Sequence, residues 1–272
     1  MTTVAHAAPR RRWSVMRWLR TWLPALLVFG LGLAAWQWLL PELGVERYLL
    51  PPLSDVLSAL RDQRSVLLDG AWITLKEALA GFAIGCSVAF VSALALARWR
   101  PLGNALMPYM IAANAVPIIA FAPITNAWFG ILSPWSKITI ASVLCFFPVL
   151  VNTLRGLTSV RPESLELMRS YAARQSAVFR RVRIPASLPF LFTALKVATV
   201  LAMIGAVVAD FFGGDTEALG VQIPQAVSAA QYELAWAAII VASVIGIAFY
   251  GAVALAERLI LRWDPAARGT QE

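Results

Sequence analysis

The pattern of apolar and charged positions along the chain predicts several membrane-crossing helices. Four stretches contain no charged residue and approach the roughly 20 residues that a helix needs to cross a bilayer core of about 30 Å. They are 21–40, 78–97, 138–154 and 234–256. Arginines between Arg10 and Arg20 precede the first stretch. We interpret this stretch as an uncleaved first helix rather than a secretory signal peptide, because the apolar run is long and further spans follow.

Two further segments complete a predicted set of six spans. Residues 101–136 also lack charge but are too long for one simple span, and Pro117 and Pro123 predict breaks within it. The segment 187–209 is interrupted only by Lys196. We therefore predict an all-α polytopic membrane protein with six transmembrane helices. The expected divisions are a basic tail at 1–20, a transmembrane domain at 21–260 with spans at about 21–40, 74–97, 104–130, 136–154, 187–210 and 234–257, and a tail at 261–272.

Composition and charge agree with this class. The chain is 60% hydrophobic and 14% charged, whereas soluble domains are about 45–50% apolar and about 25% charged. If both termini lie on one side, most lysines and arginines lie there too, in the tails and in residues 98–103 and 155–186. Because positive loops stay in the cytoplasm, both termini are predicted to be cytoplasmic. Nucleic-acid binding is not expected, since the basic residues are spread over separate membrane-adjacent segments.

The segment 155–186 is longer than the roughly 2–8 residues that a plain connector requires, and it predicts two short amphipathic helices. Pro162 suits a first helical position, and Glu163 favours a helix N-terminus. Apolar stripes at helical spacing follow, formed by Leu165, Met168 and Ala172 and then by Val178, Phe179 and Val182. The pattern alone fits equally a docking surface for another protein and two helices that rest on anionic lipid.

At this loop the sequence resembles the permease subunits of bacterial ABC importers. That family has a Glu-Ala-Ala signature, a Gly four residues after the second Ala, and an Ile-x-Leu-Pro ending at a fixed distance. The signature positions are held here by Glu166, Leu167 and Met168, the Gly position by Ala172, and the closing positions by Val182, Ile184 and Pro185. Because an Ala at positive φ is costly, we expect the turn at Ala172 to be reshaped or moved to Ala173-Arg174.

Three other stretches extend the resemblance to the branch that handles sulfonates, taurine, nitrate, thiamine-precursor pyrimidines and riboflavin. The stretch 47–60 resembles the Leu-Pro-x-Pro-Ser-x-Val segment of that branch but has Leu53 in place of the second Pro. The stretch 114–130 is similar to its Pro-rich third helix, which ends in Trp-Phe-Gly, and 218–226 to its Gly-Leu-Gly segment. The resemblance therefore covers roughly residues 47–260.

The resemblance implies a type I ABC importer permease-like fold in a bacterial inner membrane. Two copies would form a homodimer, each docking a separate ATPase through 155–186, a cytoplasmic coupling-helix loop, and a solute-binding protein would deliver solute to the opposite face. Side chains expected to insert into the ATPase are Leu165, Met168, Tyr171 and Ala172. Glu166 and Arg169 are expected to orient the contact by charge, and Ile184 and Pro185 to close the motif.

This chain is expected to bind no cofactor or metal and to catalyse no reaction. No G-x-x-x-x-G-K-[ST] loop is present, so ATP and Mg²⁺ would bind to the partner ATPase. A membrane enzyme is disfavoured because the only histidine is His6 and no two carboxylates share a membrane-depth stretch. An ion-coupled secondary transporter or a channel is the alternative, with Asp210 and Lys196 as its few ionisable candidates. We expect both to lie near a membrane interface, Lys196 by snorkelling.

Polar residues and prolines in the predicted spans are candidates for lining a translocation pathway. A buried amide must find a partner or water, so hydrogen bonding between helices is the plainer alternative. The candidates are Asn114, Pro117, Pro123, Thr125, Asn126 and Asn152. They offer no fixed cation for a sulfonate or nitrate, which favours a neutral heterocycle such as a thiamine-precursor pyrimidine and leaves the anions as alternatives.

Overall fold

The computed structural model describes residues 12–39 and 42–262, which form helices joined by turns. Residues 1–11 and 263–272, which hold much of the predicted tails, lie outside the described residues. The elements are α1 (Arg12–Ala34), a π-helical turn (Ala35–Leu39), α2 (Leu53–Asp62), α3 (Arg64–Arg98), α4 (Arg100–Ala113), a 3₁₀ turn (Ile118–Phe121), α5 (Ala122–Phe129), α6 (Pro134–Thr158), α7 (Pro162–Ser170), α8 (Gln175–Val178), a π-helical turn (Phe179–Arg183), α9 (Ile184–Phe211), α10 (Leu219–Ser228) and α11 (Tyr232–Ile260).

Four helices of the described chain are long and apolar enough to cross a membrane. They are α3, α6, the stretch Gln175–Phe211 that contains α9, and α11. A fifth span results if Pro101–Ala113 and Ile118–Phe129, bent by 77° to each other, count as one. The predicted all-helical, multi-span class is confirmed. The count of six stays a prediction, in which the shorter apolar helix Leu23–Leu39 would supply the remaining span.

The core of the described chain forms where α3, α6 and α9 pack side by side. Gly81 and Gly85 of α3 lie directly against Ala141 and Ser142 of α6, where an added methyl group would collide with those residues. Gly205 of α9 approaches Ala141 in the same way. Small residues four positions apart let helix backbones come close together. Apolar side chains alone do not hold helices together in a membrane, because lipid tails are equally apolar. Close packing of small residues therefore holds these three spans together.

A shorter helix, α10, lies among α3, α9 and α11. Its first residue, Leu219, is fully buried beside Leu67 of α3 and Ala237 of α11. Gly70 and Gly220 permit this approach, because a side chain at either position would meet backbone of the facing segment. One end of the bundle is therefore closed by α10.

The turn between α5 and α6 is set by local sequence. Gly130 follows α5 and has a φ of +95°, a backbone conformation that L side chains rarely adopt. Ser133 caps α6 by accepting a hydrogen bond from Trp135 N at 3.4 Å, and Pro134 takes the first helical position. These residues bring the backbone carbonyls of 131 and 133 back over the start of α6.

Candidate functional site

The first helix of the 155–186 loop, α7, ends at a left-handed residue. Ala172 has a φ of +48°. Its N–H donates to Arg169 O at 2.9 Å, and Ala173 N donates to Met168 O at 3.0 Å. This is the Schellman pattern that normally has Gly at the left-handed position. The expectation of a turn moved to Ala173-Arg174 is wrong, since Ala172 itself adopts the conformation that the family's Gly would adopt.

The residues predicted to couple to an ATPase divide by exposure. Four lie on the outside of the loop, with Tyr171 75% exposed; they are Glu166, Arg169, Tyr171 and Ala172. The other four are partly buried, namely Leu165, Met168, Ile184 and Pro185. Leu167, at a signature position, is 56% exposed. The exposed residues of α7 and of the turn directly after it therefore include an acidic, an aliphatic and an aromatic side chain.

Arg183 connects this loop to the end of α3. Its side chain is buried, its Nη1 donates to Ala97 O at 3.3 Å near the end of α3, and its guanidinium lies 4.8 Å from the Phe179 ring centroid. A cavity of about 430 Å³ separates the loop from α3, and both Leu165 and Arg169 line it. The neighbouring Arg180 and Arg181 are exposed. The three arginines stand in the same basic run, so the sequence pattern did not single out Arg183 as the buried one.

The predicted third span is broken where its prolines stand. After α4, Asn114 donates to Met110 O at 3.2 Å, and Pro117 precedes the 3₁₀ turn. Pro123 follows as the second residue of α5. Asn114, Pro117 and Pro123 are all exposed in the single chain. The prolines therefore start two short helical segments rather than kinking one continuous helix.

Thr125 and Asn126 of α5 join a hydrogen-bond chain to α6 and α9. Thr125 Oγ1 lies 2.9 Å from Ser136 Oγ, which donates to Asn126 Oδ1 at 2.5 Å. Asn126 Nδ2 donates to Phe212 O at 3.2 Å, just after α9. Thr125 also faces a cavity between α5 and α6. These two residues thus hold α5 against the bundle.

Asn152 is not brought near the other pathway candidates. Its Nδ2 donates to Pro148 O of its own helix at 2.8 Å. It lies nine residues after Val143, a lining residue of the cavity beside Thr125. Nine residues at about 100° each turn it to the opposite side of α6.

Sequence reasoning missed a buried group of charged residues. Asp210 is completely buried at the end of α9, and the buried Glu77 side chain of α3 is its neighbour. Lys137 is also completely buried, and its Nζ donates to Ile131 O at 2.5 Å and to Ser133 O at 3.3 Å. Glu77 and Asp210 are therefore neighbours although they stand on different helices, which the sequence did not predict, and the expected position of Asp210 near a membrane interface stays a prediction. We call Thr74, Glu77, Lys137 and Asp210 the buried polar cluster.

Lys196 has a specific partner. Its Nζ lies 2.7 Å from Glu257 Oε2, and both side chains are largely buried, at 23% and 18% exposed. The expectation that Lys196 snorkels towards an interface stays a prediction, and the structure adds a carboxylate of α11 as its partner. Glu257 is 61 residues away along the chain, and only the packing of α9 against α11 makes the pair apparent.

The comparisons with known proteins agree on one family. Residues 81–262 match the family described as the inner membrane component of binding-protein-dependent transport systems. The chain is 31% identical over 219 residues to the formylaminopyrimidine transport permease protein ThiX of Halalkalibacterium halodurans, covering 80% of this chain and 87% of that one. It is 32% identical over 267 residues to the riboflavin transport system permease protein RibX of Chloroflexus aurantiacus, covering 96% and 97%.

Another relative and a solved structure extend this picture. The putative aliphatic sulfonates transport permease protein SsuC of Bacillus subtilis is 28% identical over 255 residues, covering 91% of this chain and 90% of that one. The fold is similar to the crystal structure of an amino acid ABC transporter with histidines, with a TM-score of 0.59 and 18% identity over 73% of this chain and 96% of that chain.

Proposed function

The chain belongs to the family of inner membrane components of binding-protein-dependent transport systems, and from this premise we propose that it forms the translocation pathway for a small organic solute. It is a multi-pass permease subunit of an ABC importer and a transport component rather than an enzyme. The family implies a solute-binding protein and an ATPase as partners. In the proposed assembly the chain pairs with a second copy, while ATP and Mg²⁺ bind to the ATPase.

The geometry of the 155–186 loop supports its role as the contact with that ATPase. Glu166 of α7 and Tyr171, the residue directly after this helix, are exposed and can contact another protein. Leu165 and Arg169 line the cavity between the loop and α3. Arg183 ties the end of the loop to Ala97 O. Movement of the ATPase would therefore reach α3 and α9, and through them the rest of the bundle.

The single observation that carries this proposal is the left-handed turn at Ala172. It separates α7 from α8 at the position where the resembling permeases have Gly, although this chain has a residue that makes the conformation costly. The left-handed conformation is kept here despite its cost, and backbone strain of this kind is concentrated at functional sites.

The orientation follows from the charge distribution. We place the loop and both termini in the cytoplasm, where Arg180 and Arg181, both exposed, agree with the positive-inside rule. The proposed topology has six spans, with Leu23–Leu39 as the first. On this topology the buried polar cluster lies towards the extracytoplasmic side, near α10.

The substrate class is argued from the relatives and from the pathway candidates. Relatives of similar identity are named for formylaminopyrimidine, riboflavin and aliphatic sulfonates. Among Asn114, Thr125, Asn126 and Asn152 no group carries positive charge to neutralise an anion. We propose a neutral heterocycle such as a thiamine-precursor pyrimidine, with a sulfonate, taurine or nitrate as the alternative.

One experiment tests the class of transporter. The protein is purified from its own cells in mild detergent and reconstituted in vesicles together with the proteins that accompany it. Recovery of an ATPase and a solute-binding protein, with uptake that stops when ATP is removed, is the expected result. Vesicles that contain this chain alone and take up solute on an ion gradient would contradict the proposal and favour a secondary transporter, for which Glu77, Lys137 and Asp210 would be the ionisable groups.

A further inference from the structure

A cavity of about 270 Å³ lies between the broken third span and α6. Its walls come from the 3₁₀ turn, α5 and the middle of α6. Aromatic rings contribute from both the α5 side and the α6 side, and the lining also includes two threonines. The lining residues that matter here are Phe121, Thr125, Trp128, Thr139, Val143 and Phe147.

The chemistry of this lining suits a flat ring. The rings of Phe121, Trp128 and Phe147 present π faces and edges, which stack on planar heterocycles. The single hydroxyl proton of Thr125 is already engaged, because its Oγ1 lies 3.0 Å from Ala122 O and 2.9 Å from Ser136 Oγ. The two threonine hydroxyls and the Trp128 indole N–H are the only polar side-chain groups among the described lining residues, so recognition in this cavity depends mainly on ring surfaces and shape.

The lining carries no charged side chain that could neutralise an anion. Lys137 is the nearest cation along α6, two residues before Thr139. Its ammonium is fully buried and donates to Ile131 O and Ser133 O in the turn between α5 and α6. An unpaired sulfonate or nitrate in an apolar cavity would bear a large desolvation cost. The cavity therefore disfavours sulfonates and nitrate as solutes.

The size of the cavity further narrows the range of possible solutes. Pockets that hold drug-sized ligands run to about 300–1,000 Å³, so 270 Å³ suits a smaller solute. A single heteroaromatic ring with short substituents fits that limit better than a three-ring flavin with its sugar-alcohol chain. Of the names that the relatives carry, the pyrimidine is the one that agrees with both the size and the lining.

We propose that this cavity binds an uncharged, single-ring heteroaromatic solute on its way through the permease, with Trp128 and Phe147 contacting the ring. The inference rests on the proposed function and deepens it, because it assigns the substrate class to a particular cavity. Trp128 is 71% exposed in the single chain and is the most exposed side chain of this lining.

The test measures solute binding to the permease in complex with its ATPase, without the solute-binding protein, in lipid nanodiscs. The probe is radiolabelled formylaminopyrimidine, with methanesulfonate and riboflavin as competitors. We expect the pyrimidine to bind, methanesulfonate not to displace it and riboflavin to displace it poorly. Trp128→Ala should weaken binding by about tenfold, which is the scale of one lost stacking contact.

Three variants control for folding and for specific contact. Trp128→Phe keeps an aromatic face and should bind nearly as well as the unaltered chain. Trp135→Ala removes an exposed tryptophan outside this lining and should leave binding unchanged. Val143→Phe fills the cavity from α6 and should abolish both binding and pyrimidine uptake while the permease remains in the membrane.

The outcomes separate this inference from the proposed function. Displacement by methanesulfonate, or pyrimidine binding that neither Trp128→Ala nor Val143→Phe alters, would overturn the cavity assignment. A lipid chain held in the cavity would give that second result. ATP-driven uptake of a sulfonate alone would overturn the substrate class and leave the importer function standing, whereas pyrimidine uptake that ignores ATP would overturn the proposed function itself.

Discussion

Thr74 and Asp210 are joined by a hydrogen bond across 136 residues of sequence, with Thr74 Oγ1 3.2 Å from Asp210 Oδ2. The same Thr74 oxygen accepts a hydrogen bond from Leu219 N at 3.1 Å. Leu219 is the first residue of α10, so one hydroxyl links α3, α9 and the start of α10. All three residues are completely buried. Polar contacts at this depth are strong determinants of how the helices are placed, since unpaired groups there are costly.

Replacing Asp210 should loosen this junction. Asp210→Ala leaves the Thr74 hydroxyl without its acceptor, and we expect a loss of about 1–3 kcal/mol in the free energy of unfolding. Asp210→Asn retains an acceptor oxygen and should lose less. The measurement is the thermal midpoint of the purified protein in detergent. Asp69→Ala, an exposed carboxylate of the same α3, is the control; equal midpoints for Asp210→Ala and Asp69→Ala would contradict the role of this contact.

The ion pair between Lys196 and Glu257 should hold α9 against α11. Because both side chains are largely buried, removing one partner leaves an unpaired charge, at a cost of up to about 3 kcal/mol. Lys196→Met and Glu257→Gln should each lower the thermal midpoint. The exchanged pair Lys196→Glu with Glu257→Lys should recover much of the loss. If the exchanged pair is as unstable as the sum of both single changes, the two residues do not act as a pair.

Gly85 should tolerate no side chain. A methyl group there would run into the backbone of Ser142 on α6, and forcing helices apart at a close contact costs about 1–3 kcal/mol. We expect Gly85→Ala to reduce the amount of folded permease recovered from membranes. Gly251→Ala places the same methyl group where nothing lies within 4 Å and should be recovered normally. Similar recovery of the two variants would show that α3 and α6 are not packed this closely.

Replacing Ala172 with Gly should stabilise the loop, although an Ala-to-Gly change is usually destabilising. Its φ of +48° is costly for Ala and free for Gly, so Ala172→Gly should raise the stability of the loop by up to about 1 kcal/mol. Ala177→Gly, in the right-handed α8, should lower stability by about 0.5–1 kcal/mol. Opposite signs in thermal or proteolytic stability of the loop are expected. A loss for both variants would place the left-handed turn elsewhere.

The features that the sequence predicted well are those with a local signal. Uncharged runs located the long spans, Pro117 and Pro123 marked the break in the third span, and Pro162 with Glu163 marked the start of α7. Each signal acts through the chain within a few residues, by the missing N–H of proline or by charge at a helix terminus. The prediction of a turn moved away from Ala172 was wrong, because the packing of the loop overrides the intrinsic preference of alanine.

The features that the sequence concealed are long-range pairs. Glu77 and Lys137 each stand near the end of an apolar run and look like flanking charges until α3, α6 and α9 pack together. Glu257 looks like part of a charged C-terminal segment until α11 brings it to Lys196. One local sign was present for the first case: Gly70, Thr74, Gly81 and Gly85 place small residues along α3, which is typical of a helix face in close contact.

The central claim is that the 155–186 loop couples this permease to its ATPase, and Glu166→Lys tests it most directly. A reversed charge at a protein interface costs several kcal/mol, while Glu166 is exposed and its replacement should leave the fold intact. Asp62→Lys, which reverses an exposed carboxylate at the end of α2, is the matched control. The measurement is ATP-driven solute uptake by vesicles that contain the complete importer, with permease content checked in the same vesicles. Uptake should fall by at least about tenfold for Glu166→Lys and stay normal for Asp62→Lys, and normal uptake with Glu166→Lys would contradict the claim.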